Sequence, residues 1–271
     1  LVVLGGVFLS GLIADLIARQ TGFPRVTLLL FVGLVAGDAG LAIIPPSLHA
    51  WYDLLSIIAL TMVAFLLGGA LHRDSLRQHG AAIFIISVSI VLLTLGTVTL
   101  GLFVAGLPLD LALLLGAIAT ATAPAATNDV ITQSGVSNHF TQTLRGIVAV
   151  DDVWGLIVFS IVLVIVAQLN GSGDTSGLLH AGREIGGAVM LGLAIGIPAA
   201  FITGRLADGE PLQIEALSLV FFTSGLSLWL NVSFLITGMV VGAVIVNLAT
   251  HHDKAFVEIE HIQWPFVVLF F

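Results

Sequence analysis

The sequence predicts an all-α protein that crosses a membrane many times. Hydrophobic residues make up 58% of the 271 residues, charged residues make up only 9%, and the mean hydropathy is +1.15. A soluble globular domain carries about 25% charged residues, so this composition excludes one. Apolar runs long enough to cross a hydrocarbon core about 30 Å thick follow one another along the chain. We therefore expect a polytopic helical protein buried in the lipid bilayer.

Charge and cysteine content exclude several other classes of function. The net charge is −8 and no basic tract is present, so a nucleic-acid partner is not expected. The sequence has no cysteine, which excludes disulfides, thiol chemistry and thiolate metal sites within it. We expect no cofactor and no enzymatic activity.

Polar, glycine and proline residues divide the sequence into about nine spans and the start of a tenth. The predicted spans cover residues 1–18, 26–44, 54–71, 80–106, 109–133, 141–168, 182–204, 213–230, 232–249 and 264 onward. No linker between them is long enough to form a soluble domain. Because the sequence starts without Met and stops inside an apolar run, we expect a fragment, and no cleavable signal peptide is apparent.

The basic residues predict how the spans are oriented. Lys and Arg concentrate in cytoplasmic loops of membrane proteins. Seven of the eight basic residues lie in or beside odd-numbered loops, and only Arg183 does not. The seven are Arg19, Arg25, Arg73, Arg77, Arg145, Arg205 and Lys254. We therefore expect cytoplasmic odd-numbered loops and an external N-terminus in a cell membrane.

A glycine motif occurs twice, in spans of opposite predicted direction. Gly33 and Gly37 in the second span match Gly238 and Gly242 in the ninth. Related segments in opposite orientation are typical of inverted-repeat transporters. We expect a first repeat over 1–169, connecting helices over 182–230 and the start of a second repeat over 232–271. The alternative is that each motif only lets two membrane helices pack closely.

Two adjacent carboxylates, Asp151 and Asp152, interrupt the apolar run from 147 to 169. In a helix that starts near Thr141, Asp152 lies roughly 16 Å along the axis, close to the bilayer midplane. An ionised side chain at that depth costs at least ~2.5–3.5 kcal/mol, so it usually faces a protein or water-filled interior. Such a site can hold a proton or a small cation, and competition between the two permits exchange. The alternative is a structural pair neutralised by a basic residue of another helix.

The fifth predicted span carries a proline among small and hydroxylated residues. Pro124 removes a backbone donor and clashes with the preceding turn of a helix. Thr120, Thr122 and Thr127 surround it, with several alanines including Ala123. A helix broken here would offer backbone carbonyls and hydroxyls to a cation. The alternative is a proline kink packed by small side chains.

Three further charged residues are weaker candidates. Asp129 follows the proline segment near the predicted cytoplasmic end, where it can line an inward funnel. Arg145 precedes Asp152 by seven residues on roughly the same helix face. It can shape the potential of that funnel or extend to the membrane interface. Asp15 lies near a helix end, where we expect it to be solvated.

These motifs together resemble the monovalent cation:proton antiporter superfamily. The resemblance rests on Thr120–Thr127, which reads TATAPAAT, followed after a short loop by Val150–Gly155, which reads VDDVWG. Supporting stretches are FPRV at 23–26, GLVAG at 33–37 and IEHIQWPF at 259–266. The likeness covers essentially the whole chain. It implies a fold of about thirteen helices, with a dimerisation domain and a core domain that moves against it.

The resemblance also implies roles for individual residues. Asp152 would alternately bind cation and proton, with Asp151 as its partner, and Thr122, Ala123 and Pro124 would lie where the broken helix crosses over. We expect exchange of Na⁺ for H⁺ by a homodimer, with Li⁺ and K⁺ left open as the cation. A K⁺/H⁺ exchanger or gated K⁺ efflux protein of the same superfamily is the nearest alternative. An intramembrane aspartyl protease is remote, because its two Asp residues must lie on separate facing helices.

Overall fold

The computed structural model describes residues 2–21, 23–37, 40–43, 46–170, 176–202, 212–249 and 252–270. These ranges contain eleven α-helices, one 3-10 turn and no β-strand. The helices are α1 (Val2–Thr21), α2 (Arg25–Ala36), α3 (Pro46–Gly68), α4 (Arg73–Val104), α5 (Leu109–Ile118), α6 (Pro124–Ser134), α7 (His139–Leu169), α8 (Ser176–Ile202), α9 (Leu212–Leu230), α10 (Phe234–Leu248) and α11 (His252–Phe270). The 3-10 turn (Gly69–Leu71) follows α3. The predicted all-α architecture is confirmed.

Within the described ranges, five helices are long and apolar enough to cross a membrane on their own: α3, α4, α7, α8 and α9. Helices α2, α5 and α10 and the apolar segment Val3–Ala18 of α1 are shorter. The molecule is therefore a multi-pass membrane protein. Arg205, which contributed to the predicted orientation, lies outside the described residues, as do the side chains of Arg19 and Lys254.

Several helices begin earlier than their apolar runs. Helix α4 begins at Arg73 rather than 80, and α11 begins at His252 rather than 264. Hydropathy identifies only the apolar part of a helix. The polar residues of the first turns belong to the same helix, because their backbone hydrogen bonds continue the helical pattern. Helix α2 ends at Ala36 instead of 44, because Gly37 adopts an extended conformation (φ −77°, ψ −175°).

The fifth predicted span is two helices separated by a short irregular segment. Helix α5 ends at Ile118 and α6 begins at Pro124, while Ala123 between them is extended (φ −98°, ψ 91°). Proline fits the first position of a helix because its missing N–H would have no helical partner there. The predicted discontinuity is confirmed, and Pro124 starts a new helix instead of kinking a continuous one. We call residues 119–123 the break.

The helices pack in two main groups. Helices α4, α5 and α7 contact one another, and their shared apolar cluster includes Ala117, Val162 and Leu95. Helices α3, α8, α9, α10 and α11 form the other group around a larger cluster that includes Met62 and Ile245. Helices α1 and α2 join α11 through a small cluster of their own. Helix α6 contacts α2, α3 and α7, so it lies between the groups.

The two glycine motifs do different things. A Cβ on Gly242 would overlap the carbonyl oxygen of Phe65, and one on Gly238 would lie 3.2 Å from the carbonyl oxygen of Thr61. The α10 motif therefore lets that helix approach the α3 backbone closely. In α2, Gly37 instead caps the helix with an N–H bond of 2.8 Å to the Gly33 carbonyl. The inverted repeat stays a prediction.

Candidate functional site

Helix α7 holds the break through Asp151. The Thr122 backbone N–H donates a hydrogen bond of 3.1 Å to the Asp151 carboxylate oxygen Oδ2. The Asp151 side chain is only 1% exposed. Its second oxygen, Oδ1, is buried and has no hydrogen-bond partner among the described residues. Asp151 thus satisfies one exposed donor of the break and keeps one acceptor oxygen for another group.

Gly155 lets α7 approach the break. It follows Asp151 by four residues, so both lie on the same face of α7. A Cβ on Gly155 would lie 3.2 Å from the Cβ of Ala121, tighter than an ordinary contact. The missing side chain therefore allows the Asp151 carboxylate to reach Thr122. Sequence reasoning did not single out Gly155, although its spacing from Asp151 was a usable signal.

Position 152 belongs to a neighbouring face of α7. Its backbone is helical, and its side chain lies outside what the structure describes. By helical register, position 152 shares its face with Leu156 and Phe159. Those two residues line a cavity of about 350 Å³, which we call the break cavity. Its other lining residues are Ala117, Ile118, Ala121, Gly155, Ser233, Leu235 and Ile236.

The threonines around the break differ in their surroundings. Thr120 is 1% exposed, and its hydroxyl donates to the Ala117 carbonyl at 2.7 Å. The Thr127 hydroxyl donates to the Ala123 carbonyl at 3.2 Å. Thr122 and Ala123 are exposed. Pro124 starts α6, and its side chain lies outside the described set.

The break leaves backbone acceptors available. Across the part of the chain that the structure describes, no hydrogen bond ends on a carbonyl of residues 119–122. Carbonyl oxygens without a hydrogen-bond partner in the protein need water or a cation as a partner. Oxygen ligands of this kind suit hard cations. The break can therefore supply ligands beside the acidic pair of α7.

A second cavity lies at the other end of α6. It has a volume of about 460 Å³, and we call it the polar cavity. One wall is formed by α6, α7 and the segment that connects them, through Asn128, Thr132, Ser137, Gln142 and Arg145. The facing wall is formed by the end of α3, the 3-10 turn that follows it, α10 and α11. Its residues are Leu66, Gly69, Ala70, His72, Val246, Phe256 and Glu260. Along α7, Gln142 and Arg145 line the polar cavity and Gly155, Leu156 and Phe159 line the break cavity, so the acidic pair lies between the two sets in the helix.

The two predicted funnel residues are placed differently. Arg145 lines the polar cavity, where its Nη2 donates to the Thr132 hydroxyl at 3.4 Å. Asp129 does not line that cavity: its side chain is half-buried, and its Oδ2 has no hydrogen-bond partner among the described residues. Its neighbour in sequence, Asn128, lines the cavity instead.

Asp15 is paired rather than solvated, contrary to expectation. Its carboxylate lies 2.7 Å from the Arg25 guanidinium, and the two side chains are only 15% and 18% exposed. The Arg25 guanidinium also lies 5.1 Å from the centre of the Trp264 ring, in a cation–π contact. The start of α2 thus brings together side chains of α1 and α11, a grouping that sequence reasoning missed.

Comparisons with known proteins agree with this architecture. A family model described as sodium/hydrogen exchanger, transmembrane, matches residues 5–271. Two structures of the sodium proton antiporter MjNhaP1 from Methanocaldococcus jannaschii are similar to the chain, at 23% and 22% identity with TM-scores of 0.69 and 0.74. Both matches cover 98% of this chain, and they cover 66% and 67% of the antiporter chain. The chain thus spans about two thirds of that protein's length, and the likeness shows a shared fold. A search of curated proteins found no match.

Proposed function

The chain belongs to the sodium/hydrogen exchanger family, and we propose that it is the greater part of a secondary transporter that exchanges Na⁺ for protons. The observation that carries the proposal is the juxtaposition of the acidic pair with the break. Asp151 binds the Thr122 N–H, and position 152 follows immediately on the same helix. This arrangement combines carboxylates with unpaired carbonyl oxygens, which is the chemistry that binds either a proton or a small hard cation.

We assign the alternating occupancy to Asp152. A carboxylate in a low-dielectric site cannot comfortably remain charged without a partner, so either a proton or a cation neutralises it. A cation can bind only after the proton has left, and a proton displaces the cation in turn. This competition couples the two fluxes in opposite directions. This assignment is supported by the helical register of α7, in which position 152 lies on the same face as Leu156 and Phe159, which line the break cavity.

We assign a positioning role to Asp151. Its Oδ2 holds the Thr122 N–H, so it keeps the break at a set distance from α7. Its buried Oδ1 has no hydrogen-bond partner among the described residues. A basic residue of a later helix, the cation itself or water would each satisfy that oxygen. In every case the carboxylate keeps the carbonyls of the break beside position 152.

Alternating access would use the two cavities in turn. The polar cavity is lined by residues of α6 and of the first two turns of α7, and we place it on the cytoplasmic side from the positive-inside pattern. The break cavity is lined by α7 residues that follow the acidic pair, so we place it on the external side. Exchange requires that only one of them reaches the site at a time, since a continuous path would let ions leak. The proposed orientation has an external N-terminus in a cell membrane, and the proposed assembly is a homodimer.

Proton flux in proteoliposomes tests the proposal. The full-length protein would be reconstituted with a pH-sensitive dye, and Na⁺, Li⁺ and K⁺ would be added one at a time. We expect a Na⁺-dependent pH change in the native protein and none above empty liposomes in Asp152→Asn. A response to K⁺ alone would replace Na⁺ by K⁺ as the substrate. Na⁺-dependent flux that survives Asp152→Asn would refute the site assignment.

Asp53→Asn is a matched control for that test. It makes the same chemical change in an exposed residue near the start of α3, away from the break. We expect its flux to equal that of the native protein. Asp152→Glu keeps the carboxylate but moves it, so its flux should fall between those of the native protein and Asp152→Asn.

A further inference from the structure

Three buried polar atoms of α4 and α7 have no hydrogen-bond partner among the described residues. They are the hydroxyl oxygen of Ser87 in α4, the indole nitrogen Nε1 of Trp154 in α7, and Oδ1 of Asp151. Ser87 is 0% exposed and Asp151 is 1% exposed. A buried polar group without a partner destabilises a protein, so native structures pair almost all of them with protein groups or with ordered water.

Ser87 lies on the face of α4 that packs against α7. Ile83, Ser87 and Val91 follow one another at four-residue spacing, so they form one stripe along the helix, and all three are buried. A Cβ on Gly146 of α7 would overlap the Ile83 side chain, so this stripe meets α7. The Ser87 hydroxyl is therefore enclosed in the contact between the two helices.

Helices α4 and α7 run side by side in the same direction. Ile83 contacts Gly146. Further along, Leu95 and Val158 belong to one apolar cluster. The interval between the two contacts is twelve residues in each helix, so the register between the helices is constant. One turn after the first contact, Ser87 is therefore level with the turn of α7 that holds the acidic pair.

The Trp154 ring reaches the same level from α7. Its centre lies 5.7 Å from the centre of the Phe84 ring of α4, and Phe84 precedes Ser87 by three residues. Side chains on a helix lean toward its N-terminus, so the ring covers the turn before residue 154. That turn contains Asp151. The indole N–H, the hydroxyl and the carboxylate oxygen thus belong to one short stretch of the contact between α4 and α7.

The three groups have complementary hydrogen-bonding needs. The indole N–H of Trp154 can only donate, the ionised carboxylate of Asp151 can only accept, and the Ser87 hydroxyl does both. A group that accepts from the indole and donates to the carboxylate satisfies all three. A cation or a basic side chain cannot accept from an N–H, and an anion cannot donate to a carboxylate. Water does both, and a buried water typically makes about three hydrogen bonds.

We propose that Ser87, Trp154 and Asp151 bind a buried water molecule between α4 and α7, and that this water is the second partner of Asp151. The carboxylate is then held on both sides, with Oδ2 on the Thr122 N–H of the break and Oδ1 on the water. Ser87 and Trp154 are positioning residues, because they act on the break through Asp151. The effect of the water on exchange rests on the proposed function, whereas the water site itself does not.

X-ray footprinting of the full-length protein tests the water site. Irradiation splits bound water into hydroxyl radicals, which oxidise the side chains beside it, and mass spectrometry measures the oxidised fraction of Trp154. We expect oxidation of Trp154 in the native protein. Ser87→Ala should lower it by about half or more, because the water loses one of its three partners. Oxidation that is equal or higher in Ser87→Ala, or absent from the native protein, would overturn the site.

Ser89→Ala is the matched control for the footprint. It makes the same chemical change two residues along α4, where the exposed hydroxyl donates to the Ile85 carbonyl of its own helix at 2.7 Å. Trp154 should be oxidised in this variant as in the native protein, and an equal fall in both serine variants would contradict the assignment. Saturating Na⁺ should also leave the oxidation unchanged. A fall on addition of Na⁺ would make the cation, and not water, the partner of Asp151.

Exchange kinetics test the link from the water to the break. Ser87→Ala and Trp154→Phe each remove one hydrogen bond to the water, and the phenyl ring keeps an aromatic contact with Phe84. Each change should raise the Na⁺ concentration that half-saturates exchange about five-fold, as expected for the loss of one hydrogen bond. The two changes combined should add little to either one, because both act through the same water. Additive effects, or no effect of either change, would contradict the inference.

The two experiments fail in different ways. Native protein without any cation-dependent flux would refute the proposed function, and the footprint would still decide the water site. Cation-dependent flux together with Trp154 oxidation that does not respond to Ser87→Ala would refute the water site alone.

Discussion

The Asp151 carboxylate and the Thr122 backbone N–H are joined by a hydrogen bond of 3.1 Å between α7 and the break. The donor belongs to a segment that has left regular helical geometry, where backbone groups must find partners elsewhere. A carboxylate is a strong acceptor for such a donor. The hydrogen bond thus couples the acidic pair to the broken helix, so a substitution in either should alter the structure of the other.

Removal of the Asp151 carboxylate should destabilise the protein. In Asp151→Ala the Thr122 N–H loses a part-buried hydrogen bond, which costs about 1 kcal/mol. Asp151→Asn should lose less, because the amide oxygen can still accept the bond. In detergent, the thermal unfolding temperature should be highest for the native protein, lower for Asp151→Asn and lowest for Asp151→Ala. An Ala variant as stable as the native protein would contradict the proposed positioning role.

A side chain at Gly155 should push α7 away from the break. The added Cβ would lie 3.2 Å from the Ala121 Cβ, so Gly155→Val forces a shift that costs about 1–3 kcal/mol. We expect reduced exchange and a lower unfolding temperature. Gly186→Ala in α8 is the control, because no atom lies within 4 Å of its added Cβ. That change should instead stabilise the helix by roughly 0.5–1 kcal/mol.

Arg145→Gln should strengthen cation binding from the polar cavity. Arg145 precedes position 152 by seven residues, or ~10 Å along the helix. A unit charge at ~10 Å repels a cation by ~0.4 kcal/mol in water and more where water is scarce, which is about a two-fold effect or greater. The half-saturating Na⁺ concentration should fall accordingly, most clearly at low ionic strength. Arg77→Gln removes an exposed basic residue of α4 and should leave that concentration unchanged.

Gly242 should tolerate no side chain where α10 crosses α3. Even the Cβ of Gly242→Ala would overlap the Phe65 carbonyl oxygen, a backbone atom that cannot rotate away. We expect a loss of about 1–3 kcal/mol, read as a lower unfolding temperature in detergent. Gly225→Ala in α9 has open space around the added Cβ and should not destabilise. Equal unfolding temperatures for the two variants would show that the crossing is not tightly packed.

Local chemistry accounts for the features that could be predicted from the sequence. The all-α membrane architecture follows from composition, since a long apolar segment in lipid must satisfy its backbone internally. The break followed from Pro124, because proline cannot continue the hydrogen-bond pattern of a preceding helix. Helix ends such as His252 were misplaced, because hydropathy does not measure backbone hydrogen bonding.

Side-chain direction was harder to predict than position along a helix. Asp129 lies in α6, yet it does not line the polar cavity, whereas the adjacent Asn128 does. Neighbouring positions on a helix differ by about 100°, so only the packing of surrounding helices decides which one meets the cavity. The role of Gly155 was hidden for the same reason.

The sequence by itself determined the family, the run of apolar helices, the break and the adjacent acidic pair, because each depends on residues close together in the chain. Only the tertiary structure decided what those residues contact. The bond between Thr122 and Asp151, 29 residues apart, and the grouping of Asp15, Arg25 and Trp264 arise where helices distant in sequence pack side by side. Such contacts depend on the rotation and tilt of whole helices, which are set by the packing of many side chains and not by any local pattern.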